Sequence, residues 1–217
     1  MVPTAGILLT GGHSRRMGID KATLMFDGET LAERAARHLA AVSNPVLEVG
    51  DGRSGLPFLR ESPPGSGPLA ALAAAGAALR DRGHDGPALL LAVDLPAVDE
   101  AWLRWLRDRP GEPTAVPRVD GHLQPVCARY GADALVAAGS LVAGGLRALR
   151  DLLDVVEHDV IDEREWRTVV SDETFVDLDT PIDATKFGLT LPGFGESGLR
   201  PSRRWDGASG RERRELA

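Results

Sequence analysis

The fold of this protein is decided by residues 5–21, which read AGILLTGGHSRRMGIDK. Residues Ala5 to Thr10 are almost all apolar, which predicts a central β-strand covered on both faces. The strand ends at Gly11-Gly12, and a loop with several cations follows. Glycines directly after a buried strand let backbone amides approach a ligand closely. We therefore expect a strand followed by a loop that binds an anion.

Beyond this stretch, up to about residue 188, short apolar runs alternate with longer segments of helical spacing. This alternation predicts βα units and a mainly parallel sheet, and therefore an α/β protein. Strands are expected at residues 5–10, 45–50, 57–59, 88–93, 114–117, 122–130 and 175–178. Helices are expected at residues 30–42 and 67–80, and from about residues 99, 132, 146 and 181. We expect one domain over residues 1–188 and a mobile, glycine-rich tail over residues 189–217.

Composition restricts the class of protein. The 217 residues include 25 Lys and Arg against 32 Asp and Glu, a formal net charge of -7 that disfavours a nucleic-acid-binding surface. Cys127 is the only cysteine, so an internal disulfide and a cysteine-rich zinc site are excluded. The first residues lack the pattern of a signal peptide, and no stretch approaches the ~20 apolar residues of a membrane span. We expect a cytoplasmic protein without membrane contact.

Arg16, Lys21 and Asp94 are the residues that we expect to handle a triphosphate. Arg16 and Lys21 lie in the loop after the first strand, where they would neutralise phosphate charge. The loop is neither a Walker phosphate loop nor a G-x-G-x-x-G turn, because its glycines lack those spacings. Asp94 follows five apolar residues, and a carboxylate at the end of a buried strand suits Mg²⁺. Ligands bind beyond the carboxyl ends of strands in open α/β sheets, so Gly11-Gly12 and Asp94 should face one crevice.

The segment from Leu8 to Lys21 resembles the signature L-x-x-G-G-x-S-x-R-M-G-x-D-K of the molybdenum cofactor guanylyltransferases, the MobA family. The resemblance continues, in the family's order and approximate spacing, through Gly67-Pro68-Leu69-Ala70, Val93-Asp94-Leu95-Pro96, Gln124-Pro125-Val126 and Asp177-Leu178-Asp179-Thr180-Pro181. It covers residue 5 to about residue 188. It implies a three-layer α/β/α fold with a mainly parallel, Rossmann-like sheet of the nucleotide-diphospho-sugar transferase type. It also implies Mg²⁺-dependent transfer of GMP from GTP to the phosphate of molybdopterin, with release of pyrophosphate.

The resemblance implies roles for individual residues. Nucleotide binding is implied for Leu9, Thr10, Gly11, Gly12, Ser14, Lys21, Glu61 and Asp94. Catalysis is implied for Arg16, Lys21 and Asp94, with Mg²⁺ bound to Asp94, and acceptor binding is implied for Gln124, Arg147, Asp177 and Asp179. Glu61 stands where relatives usually have Asp, and Asp177 stands where Asn is usual. The implied partners are GTP and molybdopterin, with transient contact to proteins of molybdenum cofactor biosynthesis or to acceptor proteins.

The chemistry needs no strong general base, because an acceptor phosphate is already an anionic nucleophile. Cys127 is therefore expected to be a small buried residue and not a nucleophile, and Trp102 and Trp105, at helical spacing, are expected to pack. Three alternatives stay open: a molybdopterin cytidylyltransferase, a guanylyltransferase for another acceptor such as phospholactate, and a non-catalytic nucleotide-binding module. Gly11-Gly12 favours guanine, since cytidylyl relatives typically carry Ala-Gly there. The presence of Lys21 together with Asp94 favours an enzyme.

Overall fold

The order of strands and helices follows the alternation of apolar runs in the sequence. The computed structural model describes residues 3–11 and 20–190, and the backbone at residues 203–204 and 213–214. The strands are β1 (Ala5–Leu9), β2 (Met25–Phe26), β3 (Glu29–Thr30), β4 (Val46–Val49), β5 (Phe58–Leu59), β6 (Ala88–Ala92), β7 (Ala115–Val119), β8 (His122–Leu123), β9 (Cys127–Tyr130), β10 (Asp159–Ile161), β11 (Arg203–Arg204) and β12 (Arg213–Arg214). The α-helices are α1 (Leu31–Val42), α2 (Pro68–Arg80), α3 (Glu100–Asp108), α4 (Ala132–Ala143), α5 (Leu149–Leu153), α6 (Glu163–Trp166) and α7 (Pro181–Lys186). Short 3₁₀ helices lie at Lys21–Thr23 and Asp172–Phe175.

Strand β1 lies at the centre of a mainly parallel sheet. It pairs in parallel with β4 and β6, so that Leu9 is opposite Val49 on one side and Ala92 on the other. The strand order is β10-β7-β9-β6-β1-β4-β5-β11-β12, with β8 paired to β7 and with β2 and β3 in a separate hairpin. Strand β9 runs antiparallel between β6 and β7, whereas β4–β5 and β7–β10 are parallel pairs. The predicted α/β class with a mainly parallel sheet is confirmed.

Apolar side chains on both faces of the sheet produce three layers. Successive residues of a strand point to opposite faces. On β1, Leu8 belongs to one buried cluster and Ile7 belongs to the other. The first cluster includes Leu39 of α1 and Trp102 of α3, and the second includes Leu72 of α2. A strand covered on both faces must be apolar along its whole length, which explains the sequence of β1.

Polar side chains explain where several helices begin. Thr30 forms a capping box at α1: its hydroxyl accepts from the Glu33 N–H at 3.1 Å, and the Glu33 carboxylate accepts from the Thr30 N–H at 3.0 Å. Asp99 accepts from the Trp102 N–H at 3.0 Å at the start of α3, and Thr180 forms a second capping box at α7. These side chains satisfy amides that have no partner inside the helix. The helix starts predicted at residues 30, 99 and 181 are confirmed to within one residue.

Trp102 and Cys127 are core residues, as the sequence predicts. Both are fully buried, and Trp102 Nε1 donates to Cys127 Sγ at 3.3 Å. Trp102 also stacks on Trp105, with ring centroids 5.2 Å apart, and meets the edge of Phe175. Burial raises the pKa of the Cys127 thiol to about 12, so the thiolate is absent at neutral pH and the residue is not a nucleophile.

The extended segment predicted at residues 122–130 is interrupted. Strand β8 ends at Leu123 and β9 begins at Cys127, and between them the Cys127 N–H donates to the Gln124 carbonyl at 3.2 Å. Pro125 has no N–H to donate to a ladder, which favours a turn at this point.

The strand predicted at residues 175–178 is wrong. Residues 172–175 form a 3₁₀ helix, and the Leu178 N–H donates to the Asp94 carbonyl at 3.0 Å beyond the end of β6. Phe175 and Leu178 are both buried. Two buried residues three positions apart fit a turn and not the two-residue alternation of a strand.

The remaining differences concern boundaries and very short elements. The helix predicted from about residue 146 begins at Leu149. The sequence does not predict the hairpin β2–β3, strand β10 and helix α6, because elements of two to four residues show no periodicity. Thr190 pairs with Met25 through two backbone hydrogen bonds of 2.8 and 3.0 Å, and Arg204 of β11 is opposite Phe58 of β5. The division of the chain at residue 188 stays a prediction. Each helix in the described ranges is too short or too polar to span a membrane.

Candidate active site

The carboxyl ends of β1, β4 and β6 form one edge of the sheet. Leu9, Val49 and Ala92 are neighbours across the three strands at this edge. Thr10 directly follows Leu9, and Asp94 lies two residues beyond Ala92. The loop after β1 and the carboxylate after β6 therefore lie on the same side of the sheet, as parallel strands require.

Lys21 lies between two carboxylates at this edge. Its Nζ is 3.5 Å from Asp94 Oδ2 and 3.6 Å from Asp179 Oδ1. The Lys21 side chain is 14% exposed, whereas those of Asp94 and Asp179 are 32% and 57% exposed. Lys21 begins a 3₁₀ helix whose N-cap residue, Asp20, accepts from the Ala22 N–H at 3.0 Å. Both ion contacts exceed the roughly 3.2 Å limit of a strong hydrogen bond, so the ammonium group retains donors for a phosphate.

Asp177 adds a third carboxylate to this edge. The hydrogen bond from the Leu178 N–H to the Asp94 carbonyl ties the segment that carries Asp177 and Asp179 to the end of β6. Burial raises the pKa of Asp177 above its usual range, and the negative charges of Asp179 and Asp94 raise it further. Among the residues that the structure describes at this edge, the three carboxylates exceed the charge of Lys21, and this excess favours a cation.

The described residues offer this cation few ligands. Among them, no group of three or more His, Cys, Asp or Glu side chains is arranged to hold a metal ion. A cation at Asp94 would therefore take most of its ligands from substrate and water. That coordination is typical of Mg²⁺ at nucleotide sites and unlike that of a structural zinc ion.

Glu61 lies beside Gly11. Its Oε2 is 4.0 Å from the position that a Cβ atom would take on Gly11, and its Oε1 accepts from the Gly65 N–H at 2.9 Å. The carboxylate thus reaches the start of the loop although the family that the sequence resembles usually has the shorter Asp here.

The first backbone amides of the loop are already hydrogen-bonded. The N–H groups of Thr10 and Gly11 both donate to the Val49 carbonyl, at 3.1 and 3.3 Å. The Thr10 hydroxyl donates to the Glu48 carboxylate. These two amides are therefore not free for a ligand, and residues 12–19 lie outside the described residues. Three predicted site residues fall in that range: Gly12, Ser14 and Arg16.

Glu48 is a buried carboxylate that sequence reasoning missed. It lies on β4 and is 0% exposed. Its Oε1 accepts from the Thr10 hydroxyl and from the N–H groups of Gly52 and Arg53, at 2.8 and 3.0 Å for the two amides. Its Oε2 accepts from the Ser54 N–H at 2.9 Å and from the Ser54 hydroxyl at 2.6 Å. The signal in the sequence is a single acid inside an apolar strand that is followed by a turn with Gly50 and Gly52.

Gln124 opens onto a cavity of about 340 Å³. The cavity lies between the hairpin β7–β8 and the segment that leads to Asp177. It is lined by Val119, Asp120, His122, Gln124, Arg167, Asp172, Phe175 and Val176. Val176 immediately precedes Asp177, so two of the predicted acceptor residues lie at or next to one cavity, and a third, Asp179, contacts Lys21.

Arg147 lies in a different place, on the loop between α4 and α5. Its Nη1 donates to the carbonyls of Val142 and Leu146, at 3.0 and 2.7 Å, and its own carbonyl accepts from the Leu69 N–H at 3.3 Å. The side chain thus caps the carboxyl end of α4. It is not among the residues that line the cavity at Gln124, and its role in acceptor binding stays a prediction.

Comparison with known sequences gives one consistent family. The model of the MobA-like NTP transferase domain matches residues 6–160. A protein of Opitutus terrae named probable molybdenum cofactor guanylyltransferase is 36% identical over 177 residues, which cover 78% of this chain and 85% of that protein. A protein of the same name from Pelotomaculum thermopropionicum is 30% identical over 195 residues, covering 86% of this chain and 92% of the relative.

Solved structures agree with the fold. Molybdopterin-guanine dinucleotide biosynthesis protein A of Archaeoglobus fulgidus superposes with a TM-score of 0.69 at 23% identity, covering 85% of this chain and 96% of that structure. The 2-C-methyl-D-erythritol 4-phosphate cytidylyltransferase of Thermus thermophilus gives a TM-score of 0.55 at 17% identity, with coverages of 83% and 95%. At these identities the likeness concerns the fold alone, and it confirms the predicted nucleotide-diphospho-sugar transferase type.

Proposed function

Since the chain belongs to the MobA-like NTP transferase family, we propose that it transfers GMP from GTP to the phosphate of molybdopterin and releases pyrophosphate. The observation that carries the proposal is the contact of Lys21 with Asp94 and Asp179 at the carboxyl edge of the sheet, beside the start of the nucleotide loop. Support for the two substrates comes from relatives that are named for this reaction and that match over more than three quarters of the chain.

The reaction requires the charge of two anions to be neutralised in one place. An oxygen of the acceptor phosphate forms a bond to the α-phosphorus of GTP, and the bond from that phosphorus to the β-phosphate oxygen breaks. The enzyme has to hold the two reactants in line and to stabilise the added charge. Lys21 is suited to this role, because it is mostly buried and its contacts to Asp94 and Asp179 are long enough to exchange for phosphate oxygens. Arg16, which lies outside the described residues, is proposed for the same role.

Nucleotidyltransferases of this kind use a divalent cation, and we assign Mg²⁺ to Asp94. The Asp94 carboxylate fits this role, because it is one third exposed and its contact with Lys21 is a long one. The additional negative charge of Asp177 and Asp179 favours a cation at the same edge. When bound, Mg²⁺ supplies charge neutralisation at the triphosphate. Asp94 holds the cation, and Lys21 binds phosphate directly.

The Glu61 carboxylate supplies hydrogen-bond acceptors beside Gly11, which favours guanine. The N–H groups of Thr10 and Gly11 are already used, and the Glu61 carboxylate lies next to Gly11. Guanine presents two neighbouring donors, N1–H and the N2 amino group, whereas cytosine presents one amino donor and two acceptors. A carboxylate can accept from both guanine donors at once. We therefore assign Glu61 to guanine and expect CTP to bind less well.

The cavity at Gln124 is the proposed site for the pterin part of the acceptor. Its volume of about 340 Å³ lies in the range of small-molecule pockets, roughly 300–1,000 Å³. The segment from Val176 to Asp179 joins this cavity to Lys21. An acceptor that occupied the cavity would extend its phosphate along that segment towards the Lys21 edge, where the nucleotide phosphates bind.

The test is a pyrophosphate-release assay with molybdopterin and Mg²⁺, in which GTP, CTP and ATP are supplied separately. We expect release with GTP to exceed release with CTP or ATP, and Asp94→Asn to lower it by about a hundredfold or more. Preferential use of CTP would reject the assignment of guanine. Release with phospholactate, but not with molybdopterin, would reject the acceptor. Release no higher than in the Asp94→Asn variant with every triphosphate would favour a non-catalytic binding module.

A further inference from the structure

We propose that Glu48 is a positioning residue that holds both ends of the nucleotide loop, residues 10–21, in place. The inference rests on the proposed function, because it concerns how that loop is held for a nucleoside triphosphate. Glu48 lies on β4, one strand away from the loop, and belongs to none of the motifs that the sequence analysis identified. Its contacts connect Thr10, at the start of the loop, with Asp20 at its end.

The start of the loop is held by one side-chain bond and two backbone bonds. The Thr10 hydroxyl donates to Glu48, and the N–H groups of Thr10 and Gly11 donate to the carbonyl of Val49, the next residue of the same strand. At Gly50 there is no space between strand β4 and the first residues of the loop. A Cβ atom on Gly50 would overlap Thr10 Oγ1 and would lie 2.9 Å from the Gly11 nitrogen. Strand β4 and the first loop residues are therefore in direct contact, and no side-chain atom could be added at Gly50 without displacing them.

The end of the loop is held through Arg53. The Arg53 N–H donates to Glu48 Oε1 at 3.0 Å, which fixes the backbone of Arg53. The Arg53 side chain in turn places its Nε 3.1 Å from Asp20 Oδ2, in a half-exposed ion pair that lacks hydrogen-bond geometry. Asp20 caps the 3₁₀ helix in which Lys21 is the first residue. Glu48 is thus connected by contacts to the backbone that carries Lys21.

The donors to Glu48 come from two places, the turn after β4 and the nucleotide loop. A buried carboxylate is costly unless donors surround it, and the amides of Gly52, Arg53 and Ser54 provide such donors from the turn that follows β4. The Ser54 hydroxyl adds a further donor from the same turn. Thr10 is the one of these donors that belongs to the nucleotide loop. Removing its hydroxyl therefore tests loop positioning separately from the stability of the turn.

Two hydroxyl deletions give a matched pair. Thr10→Val and Ser54→Ala each remove one hydroxyl that donates to Glu48, but the two hydroxyls come from the loop and from the turn respectively. The assay measures KM and kcat with whichever of GTP, CTP and ATP the wild type uses best, together with the melting temperature. Thr10→Ser, which keeps the hydroxyl, is the conservative control. Glu48→Gln is examined alone and combined with Thr10→Val.

We expect Thr10→Val to raise KM for the triphosphate about tenfold, as befits the loss of one hydrogen bond to a charged group, while kcat falls less than about threefold. Thr10→Ser should restore KM to within about twofold of wild type, and Ser54→Ala should lower the melting temperature without changing KM more than about twofold. In the Glu48→Gln background the effect of Thr10→Val on KM should shrink, because both changes weaken the same contact.

Thr10→Val and Ser54→Ala could change KM equally and in proportion to their loss of thermal stability. That result would show that Glu48 acts on the fold alone and would overturn the inference. Full additivity of Glu48→Gln and Thr10→Val in KM would overturn it as well. These outcomes leave the proposed function intact, since they require only that the wild type turns over a triphosphate. A wild type that binds none of the three triphosphates would reject both proposals.

Discussion

Replacing Lys21 with methionine separates a catalytic role from a structural one. Methionine keeps most of the aliphatic stem and removes the ammonium group. The two ion contacts that are lost, at 3.5 and 3.6 Å, involve carboxylates that are 32% and 57% exposed, so solvent screens them. Screened pairs of this kind contribute about 0–1 kcal/mol each to the free energy of unfolding. A combined loss of about 1 kcal/mol, the middle of the range for two such pairs, would lower the melting temperature by only about 2–4 °C.

The effect on turnover should be far larger. Removing one preorganised group that stabilises charge in the transition state costs about 2.7–4 kcal/mol, or a factor of roughly 10²–10³ in kcat. The assay is pyrophosphate release from GTP at saturating Mg²⁺, with thermal unfolding measured on the same samples. Lys186→Met is the matched control, since Lys186 is 70% exposed and pairs with Asp183 at 3.3 Å on α7. A kcat within about threefold of wild type, or a loss of stability that accounts for the lost activity, would refute the reasoning.

Four further changes have defined outcomes. Gly50→Ala should raise KM for GTP and cost about 1–3 kcal/mol in urea unfolding, because the added Cβ meets Thr10 and the loop backbone. Arg129→Met should lower the free energy of unfolding by about 3–5 kcal/mol with little change in KM, since the buried guanidinium donates to five backbone carbonyls around the end of α3. The Cys127 thiol, with its pKa raised to about 12 by burial, should react with an alkylating reagent at pH 8 only as fast as the protein unfolds. Asp177→Asn should raise the melting temperature at pH 7 but not at pH 3. The pKa of the Asp177 carboxyl is raised in the folded state, so the wild type loses stability as pH rises through that pKa, and the neutral amide does not. An unchanged melting temperature at pH 7 would contradict the raised pKa.

Elements whose signals lie within a few residues could be predicted from the sequence. The apolar run of β1 indicated its central position, and the helical spacing of apolar residues indicated α1. The strand predicted at residues 175–178 failed, because its two buried residues are anchored by tertiary contacts. Phe175 forms T-shaped contacts with Trp102 and Trp166, and periodicity within four residues cannot distinguish such an anchor from a strand.

The sequence likewise predicts some contacts of the candidate site and not others. The proximity of Lys21 and Asp94 was predictable, since both follow the carboxyl ends of neighbouring parallel strands. The contact of Asp179 with Lys21 depends on the Leu178–Asp94 backbone bond, for which the sequence has no spacing rule. The role of Glu48 could not be predicted from the sequence for a different reason. An acid inside an apolar strand is interpretable only when its donors are known, and those donors come from two separate loops.

The charge balance at Lys21 explains how an acidic protein can bind two anionic substrates. Among the described residues of this edge, Asp94, Asp177 and Asp179 outnumber Lys21, so these residues together present net negative charge to a bare triphosphate. A triphosphate that carries a divalent cation meets three carboxylates that favour the cation and one ammonium group that favours phosphate. If the proposed function holds, these carboxylates would favour the metal complex of the nucleotide over its free form, and the net charge of -7 would act in the same direction. The same carboxylates would repel an acceptor phosphate in the absence of the cation, so the proposed function predicts that nucleotide and metal bind first.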